Sequence, residues 1–274
     1  MAKNAPSFGT TQNNIPFARV DGGSKIMLVW SGGPGNNLPR GWGFSQFTKG
    51  LTPLFDEYSM VLLSRRSGMP EGYTTRDMSD DYAEVISAEY GGHVDLIVGI
   101  SYGGIIAQHF AADHPDLCDH IVICSAAYTV SDEGKKLDYQ FAEFISQGKP
   151  RQAYQLYAPV FSSNRLIQAG MRAILWLFGP AMQGDGDDEV FRRDVLIEAD
   201  AELDHDGRDS LGRISIPTLI LAGDHDNYFP LALFQETVKL VPHGKLHIYP
   251  GKGHNIISDE QVAEDILAWI SGDL

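Results

Sequence analysis

Residues 94–107, VDLIVGISYGGIIA, constrain the fold of this chain more than any other stretch. An apolar run (Val94, Leu96, Ile97, Val98) leads into Gly99-Ile100-Ser101-Tyr102-Gly103, and small residues (Gly103, Gly104, Ala107) then open a helix. A G-x-S-x-G set between a buried strand and a helix is the sharp turn that lifts a serine hydroxyl to the top of a parallel sheet. Its backbone is strained, so the flanking positions have to be small to avoid the neighbouring strand and helix. The helix begins just past the serine, so its N-terminus favours negative charge developing there. The competing explanation is a glycine-rich turn with an idle serine. What separates the two is whether the rest of the chain supplies a base and an acid.

The flanking sequence alternates strand and helix. Ile15 to Val20 and Lys25 to Ser31 read as strands, with Asp21-Gly22-Gly23 between them as a hairpin signal. Ile26-Met27-Leu28-Val29-Trp30 is continuously apolar, as in a strand buried on both faces. A short helix is expected near Phe44 to Leu54, a strand over Tyr58 to Leu63, and a helix from about Asp77 to Tyr90 that Gly91-Gly92 stops. After the helix that follows Ser101, His120 to Cys124 is another strand, ending in Ser125-Ala126-Ala127. The pattern predicts an α/β fold with a mostly parallel, doubly wound sheet.

From 128 to 216 the alternation stops. Leu137, Phe141, Phe144 and Ile145 mark one amphipathic helix, and Ile167, Met171, Ile174, Leu175 and Phe178 another. Gly184-Asp185-Gly186-Asp187 reads as a flexible acidic loop, and Glu189 to Leu203 as a further helix. The segment is expected to be a helical lid inserted into a core formed by 1–127 and 217–274. Residues 185–209 hold 11 Asp or Glu and 3 Arg, a charge of 3 − 11 = −8, read mostly as a solvated face. The sheet resumes with Thr218 to Gly223 and Leu246 to Tyr249. Ser258 and Gln261 are placed to form a capping box at the start of the last helix, with Val262, Ile266 and Ile270 facing the core.

A serine hydroxyl needs a base within hydrogen-bond reach, and the base needs an anion to fix its tautomer. Two loops after strands offer these. Asp226 follows 217–223, and His254 follows 246–249 in a glycine-rich loop. Asp224 is the rival acid, with a turn role as its other reading. The chain order serine, acid, histidine and the segments GISYGG, IPTLILAGDHDNYFP and GKGHNI resemble the α/β-hydrolase superfamily over about residues 15–272. The resemblance implies the α/β-hydrolase fold and a triad of Ser101, His254 and Asp226. It selects Asp226 over Asp224, because in that family the acid sits three residues after the glycine closing its strand. It also implies an oxyanion hole from the N–H groups of Tyr102 and Gly33, since Ser31-Gly32-Gly33-Pro34-Gly35 is similar to the HGGPG loop of proline iminopeptidases. Ser31 stands where that branch has histidine, which normally braces the loop by hydrogen bonding. Ser64-Arg65-Arg66-Ser67-Gly68 stands where many relatives carry Asp-x-Arg-Gly. Gly32, Trp176, Phe178 and Tyr228 are the candidate substrate contacts.

The net charge of −15 argues against nucleic acid and anionic membrane surfaces. No apolar run is long enough to span a membrane, and the first residues lack the apolar core of a signal peptide. Cys118 and Cys124 show no metal or redox spacing and read as buried reduced thiols, so a cytoplasmic protein is expected. His109 and His114 are read as structural and His205 as an exposed residue. No metal and no cofactor is expected. The partner is a small-molecule substrate, and the reading allows a homodimer. The function expected is hydrolysis of a carboxylic ester or lactone of a small to medium, mainly apolar compound through an acyl-enzyme. One alternative is an aminopeptidase or amidase in which the acidic run Glu198, Asp200, Glu202, Asp204 holds a substrate ammonium. The other is a non-catalytic ligand-binding protein on the same scaffold.

Overall fold

The structure, a computed structural model, describes residues 5–161, 164–182 and 189–274, so the acidic loop 184–187 lies outside the described residues. Eight strands form one sheet: β1 (Ser7–Thr10), β2 (Pro16–Val20), β3 (Lys25–Trp30), β4 (Tyr58–Leu63), β5 (Val94–Ile100), β6 (Cys118–Cys124), β7 (Thr218–Gly223) and β8 (Gly244–Tyr249). Their spatial order is β1-β2-β4-β3-β5-β6-β7-β8. β2 pairs antiparallel with both β1 and β4, and all other pairs are parallel. The strands β4 and β5 are mostly apolar and buried on both faces, and each fully buried large apolar side chain contributes about 1.5–3 kcal/mol.

The hairpin expected at Asp21-Gly22-Gly23 is absent. β4 lies between β2 and β3, so these two strands do not pair. The two glycines serve close approach instead: a Cβ at Gly23 would come within 2.0 Å of the Glu57 carbonyl, and Gly23 N–H donates to Phe55 O. A turn signal reports the local chain path but not which strand the chain then pairs with.

On one face of the sheet lie α2 (Thr75–Glu89) and α3 (Tyr102–Asp113), with Tyr82, Ile86, Ile106 and Phe110 in the core. On the other lie α1 (Gly41–Phe47) and, at the C-terminus, a helix over Gln261–Ser271, with Phe44, Val262 and Ile266 buried. The helix α2 starts earlier than expected because Thr74 caps it, in a reciprocal box with Asp77. The box expected at Ser258 and Gln261 does not form. Residues 256–258 make a 3-10 turn, and Ser258 Oγ donates to Gln46 O at 3.3 Å.

Between β6 and β7 the chain is helical: α4 (Asp132–Ser146), α5 (Pro150–Tyr154), α6 (Ala158–Phe161), α7 (Arg165–Met182), α8 (Glu189–Leu203) and α9 (Arg208–Leu211). α10 (Leu231–Leu240) follows β7, and the C-terminal helix is α11. Phe141, Ile145, Phe191 and Val195 form a small separate core between α4 and α8. Two expectations for this segment are corrected. In α7 only Leu175 of the predicted inward face is buried, while Ile167, Ile174 and Phe178 are exposed. In α8 the acidic stretch is not simply solvated, because Asp194, Glu198 and Glu202 are buried.

Candidate active site

Three strand ends build the site. β5 ends at Ile100, and Ser101 follows with φ 51° and ψ −114°, a region that costs about 1–3 kcal/mol for a residue with a side chain. The glycines around it leave no room for substitution. A Cβ on Gly103 would lie 2.4 Å from Trp30 O, and one on Gly99 would lie 2.6 Å from Gly103 O. Ser101 is also the N-cap of α3. Tyr102 opens that helix, so its N–H belongs to the first turn, whose donors have no intrahelical acceptor.

After β7, Asp224 and Asp226 have different partners. Asp224 Oδ1 accepts Gly251 N–H at 2.6 Å, a turn contact. Asp226 is buried. Its Oδ1 accepts the N–H groups of Tyr228 (2.7 Å) and Phe229 (3.0 Å), and its Oδ2 lies 2.8 Å from His254 Nδ1. After β8, His254 Nε2 stands 3.0 Å from Ser101 Oγ. With Nδ1–H donating to Asp226, Nε2 is left as the acceptor for the serine hydroxyl, so this arrangement can move a proton off Ser101. The Phe229 ring is parallel to the imidazole at 5.8 Å, with Tyr228 tilted against it at 5.3 Å. Ser125 was not singled out by sequence reasoning beyond ending its strand. It has φ 52°, and its Oγ donates to His254 O at 2.6 Å, fastening the histidine loop to the end of β6.

The loop Ser31–Asn37 follows β3. Gly32 abuts the nucleophile: a Cβ there would be 2.9 Å from Ser101 Cβ. Gly33 has φ +75°, and no atom lies within 4 Å of where its Cβ would be. Among the described residues its N–H has no acceptor. Arg65, fully buried, and Glu198 of α8 form an ion pair beside this loop, with Nε–Oε1 at 3.1 Å. Burial alone would lower the Arg65 pKa, and Glu198 more than offsets this, so it is raised. Sequence reasoning missed both roles. The available signal was an arginine two residues past the end of a mostly apolar strand in a chain this acidic.

Of the candidate substrate contacts, Gly32 and Tyr228 are brought to Ser101 and His254. Trp176 and Phe178 are not brought into this set. They are 43% and 65% exposed on α7, which packs against α5, α6 and the turn at 155–157, and Trp176 lies under the Arg151 guanidinium. Helical spacing identified the helix, but the side it buries is centred on Leu175 and leaves Ile167, Ile174 and Phe178 exposed.

A second group of carboxyls lies near His254. Tyr157 O–H donates to Asp138, and Asp138 is hydrogen-bonded to Glu202. Burial first, and then repulsion by Asp138, pushes the Glu202 carboxyl well above the usual range. Asp138 is also raised, by burial, against the opposing pull of Glu202, Tyr157 and the His254 charge. Glu198 is engaged by Arg65 and by Gly35 N–H at 2.5 Å, so these acids do not stand free as an open row. His205, expected to be exposed, is buried beside His109 at 3.3 Å, with Thr75 Oγ1 3.1 Å from each ring. Burial lowers His109 to about 4 and His205 well below its ordinary value, so both rings are neutral. Cys118 and Cys124 are free and buried, and burial pushes both thiols up to about 12. Among the described residues no group of three or more His, Cys, Asp or Glu is placed to hold a metal, and no helix is long and apolar enough to cross a membrane.

Residues 27–266 match the model of the alpha/beta hydrolase family. A curated relative, the 2-hydroxy-6-oxononadienedioate/2-hydroxy-6-oxononatrienedioate hydrolase of a Pseudomonas species, is 23% identical over 90% of this chain and 87% of its own. Among solved structures, the thermophilic esterase of Thermogutta terrifontis superposes with a TM-score of 0.73 at 22% identity, covering 98% of this chain and 99% of that one. The enol-lactonase of Burkholderia xenovorans LB400 does so with a TM-score of 0.74 at 16% identity, covering 97% and 99%.

Proposed function

The chain belongs to the alpha/beta hydrolase family, and from that premise we propose that it is a serine hydrolase of carboxylic esters or lactones. The observation that carries the reading is the continuous row Ser101 Oγ, His254 Nε2, His254 Nδ1, Asp226 Oδ2, with steps of 3.0 and 2.8 Å. The similarity to an esterase and an enol-lactonase supports the ester or lactone bond as target.

Ser101 Oγ forms a bond to the acyl carbon while His254 Nε2 takes its proton. The carbonyl electron pair moves onto oxygen, which the N–H groups of Gly33 and Tyr102 stabilise. Each such donor contributes about 2.7–4 kcal/mol in comparable sites. The acyl–oxygen bond then breaks and His254 returns the proton to the leaving alcohol. Water repeats the sequence on the acyl-enzyme, releasing the acid and restoring the serine. Asp226 holds the imidazole in the required tautomer throughout and stabilises its cation. The helical segment over 128–216 acts as a lid that selects the substrate.

A fluorophosphonate probe is expected to label the wild type and not Ser101→Ala. Hydrolysis of p-nitrophenyl butyrate is expected to fall by at least about 10⁴-fold in that variant. Equal labelling of both proteins would refute the serine mechanism. Turnover of proline p-nitroanilide with an inert ester would move the assignment to an aminopeptidase. The engagement of Glu198 by Arg65 weighs against that outcome.

A further inference from the structure

We propose that Arg65 and Glu198 are positioning residues of the oxyanion hole: the buried ion pair sets the backbone that presents Gly33 N–H and fastens Tyr102 beside it. The inference rests on the serine-hydrolase reading of the preceding section.

The loop after β3 is Ser-Gly-Gly-Pro-Gly-Asn-Asn, with no ladder or helix to hold it. Its conformation has to be imposed from outside, because three glycines in a row of five leave the backbone its widest freedom. Arg65 imposes it. Nη1 donates to Ser31 O at 2.8 Å and to Ser31 Oγ at 3.1 Å. Nη2 donates to Gly33 O at 2.6 Å and to Gly35 O. Gly33 N–H lies in the peptide unit joining Gly32 and Gly33. The units on either side of it carry the carbonyls of Ser31 and Gly33, and both are tied to the guanidinium. The middle unit is thereby held from both flanks, with its N–H unpaired among the described residues and Gly32 against Ser101.

Glu198 completes the arrangement. Its Oε1 accepts Arg65 Nε–H at 3.1 Å, and its Oε2 accepts Arg65 Nη2–H at 3.2 Å and Gly35 N–H at 2.5 Å. Gly35 is thus gripped by its carbonyl and by its N–H, one from each member of the pair. The second donor residue is fastened to the same pair. Tyr102 O–H donates to Glu198 O at 2.8 Å, and the Arg65 guanidinium faces the Tyr102 ring at 5.0 Å. Both residues proposed to stabilise the oxyanion therefore meet at Arg65 and Glu198. A buried ion pair is not needed for packing, since apolar residues of like volume often serve stability as well. Here its hydrogen bonds are spent on backbone atoms of one functional loop. Arg65 occupies the bracing role left open by Ser31, and it does so with a planar fork that lysine cannot reproduce.

The test uses the full chain with Arg65→Lys and Glu198→Gln. Its readouts are kcat and KM on p-nitrophenyl butyrate, inhibition by a trifluoromethyl ketone that binds as a tetrahedral oxyanion, and thermal melting. A misplaced donor costs transition-state stabilisation, on the order of 10²-fold for about 1 Å. The expected result for Arg65→Lys is a folded protein with kcat down about 10–100-fold and KM within about threefold. The ketone's Ki is expected to rise in parallel with the loss in kcat. Glu198→Gln, which keeps an acceptor for Gly35 N–H, is expected to show the same pattern with a smaller factor. Unchanged kcat in folded variants, a kcat loss with unchanged Ki, or loss of the folded state in both variants would assign the pair to stability alone and overturn the proposal. The serine mechanism is judged separately, by fluorophosphonate labelling of the wild type at Ser101.

Discussion

Two helices of the same inserted segment, α7 and α8, break the rule of apolar residues inside and charges outside, in opposite ways. α8 buries Asp194, Glu198 and Glu202, at 0%, 1% and 3% exposure. α7 leaves Leu166, Leu177 and Phe178 at 84%, 55% and 65%. The difference lies in what each helix meets. α8 runs beside the loops after β3 and β4, whose irregular backbone carries N–H groups that need acceptors. Glu198 takes Gly35 N–H, and Asp194 takes Gly68 N–H (2.7 Å), Met69 N–H (3.0 Å) and Asn36 Nδ2–H (3.0 Å). Among the described residues α7 packs mainly against α5, α6 and the turn at 155–157, and its covered stripe is the one around Leu175. Burial along this segment follows the supply of partners, and hydrophobicity alone does not locate it.

The largest expected effect is at the α8 ion pair. Glu198→Ala leaves a fully buried guanidinium without its counter-charge and the Gly35 N–H without its acceptor. Removing one partner of a buried pair costs about 3–5 kcal/mol. Urea denaturation is expected to show a loss in that range at an unchanged slope. A loss below about 1 kcal/mol would mean that α8 is held by its apolar contacts, and the contrast with α7 would fail.

The next effect depends on pH and concerns the C-terminal end of α8. His205 follows that helix and meets His109 of α3 and Thr75 of α2. The folded chain keeps both rings neutral, His109 down to about 4, while the unfolded chain protonates them below about 6.5. The unfolded state therefore binds more protons in this window. Stability is full above about pH 6.5 and is lost as pH falls toward 4, by up to about 3 kcal/mol for His109 at the acid end. The raised carboxyls of Asp138 and Glu202 act with the opposite sign, because their contribution is full at acid pH and is lost as pH rises. A His109→Gln variant separates the two. Its stability is expected to fall less steeply than the wild type's between pH 6.5 and 4, and an identical slope would refute the assignment.

Asp194→Ala follows in size. It orphans two backbone donors and the Asn36 amide without stranding a charge of opposite sign, for an expected loss of about 1–3 kcal/mol. Asp194→Asn, which retains one acceptor oxygen, is expected to recover part of that loss. Equal losses in the two variants would show that the N–H acceptors are not what holds α8 in place.

The sequence displays the sheet clearly where strands are apolar throughout, as at Val29 to Trp30 and Leu96 to Val98, because burial on both faces leaves no ambiguity of period. Strand order was less legible: the turn at Gly22-Gly23 resembles a hairpin because glycine serves close backbone approach as readily as reversal. The row Ser101, His254, Asp226 was accessible because each residue sits at a fixed offset from the end of an apolar strand. The partners of that row were not. Arg65, Glu198, Ser125 and Asp138 act through contacts spanning 19 to 163 residues of sequence, and a carboxylate in an acidic run looks the same whether it faces water or a guanidinium. The capping signal at Ser258 failed for a related reason, since its hydroxyl turns to Gln46.

The smallest expected effect tests the other side of the comparison. On α7, Leu166, Gly170, Ala173 and Leu177 follow one another at spacings of four, three and four, and so lie along one line of the helix with Ile167 and Ile174 beside it. All six are exposed. Replacing an exposed apolar side chain removes no buried contact, so Leu166→Gln and Leu177→Gln are each expected to change stability by less than about 0.5 kcal/mol. Leu175→Ala, in the covered stripe of the same helix, is expected to cost about 2–5 kcal/mol where its cavity does not collapse. Measured together by urea denaturation, the three variants fix the orientation of α7. A loss above about 1 kcal/mol at Leu166 or Leu177, matched by a small one at Leu175, would turn the line through Leu166 and Leu177 inward in place of Leu175. It would leave α8 as the only helix of the pair that defies its own composition.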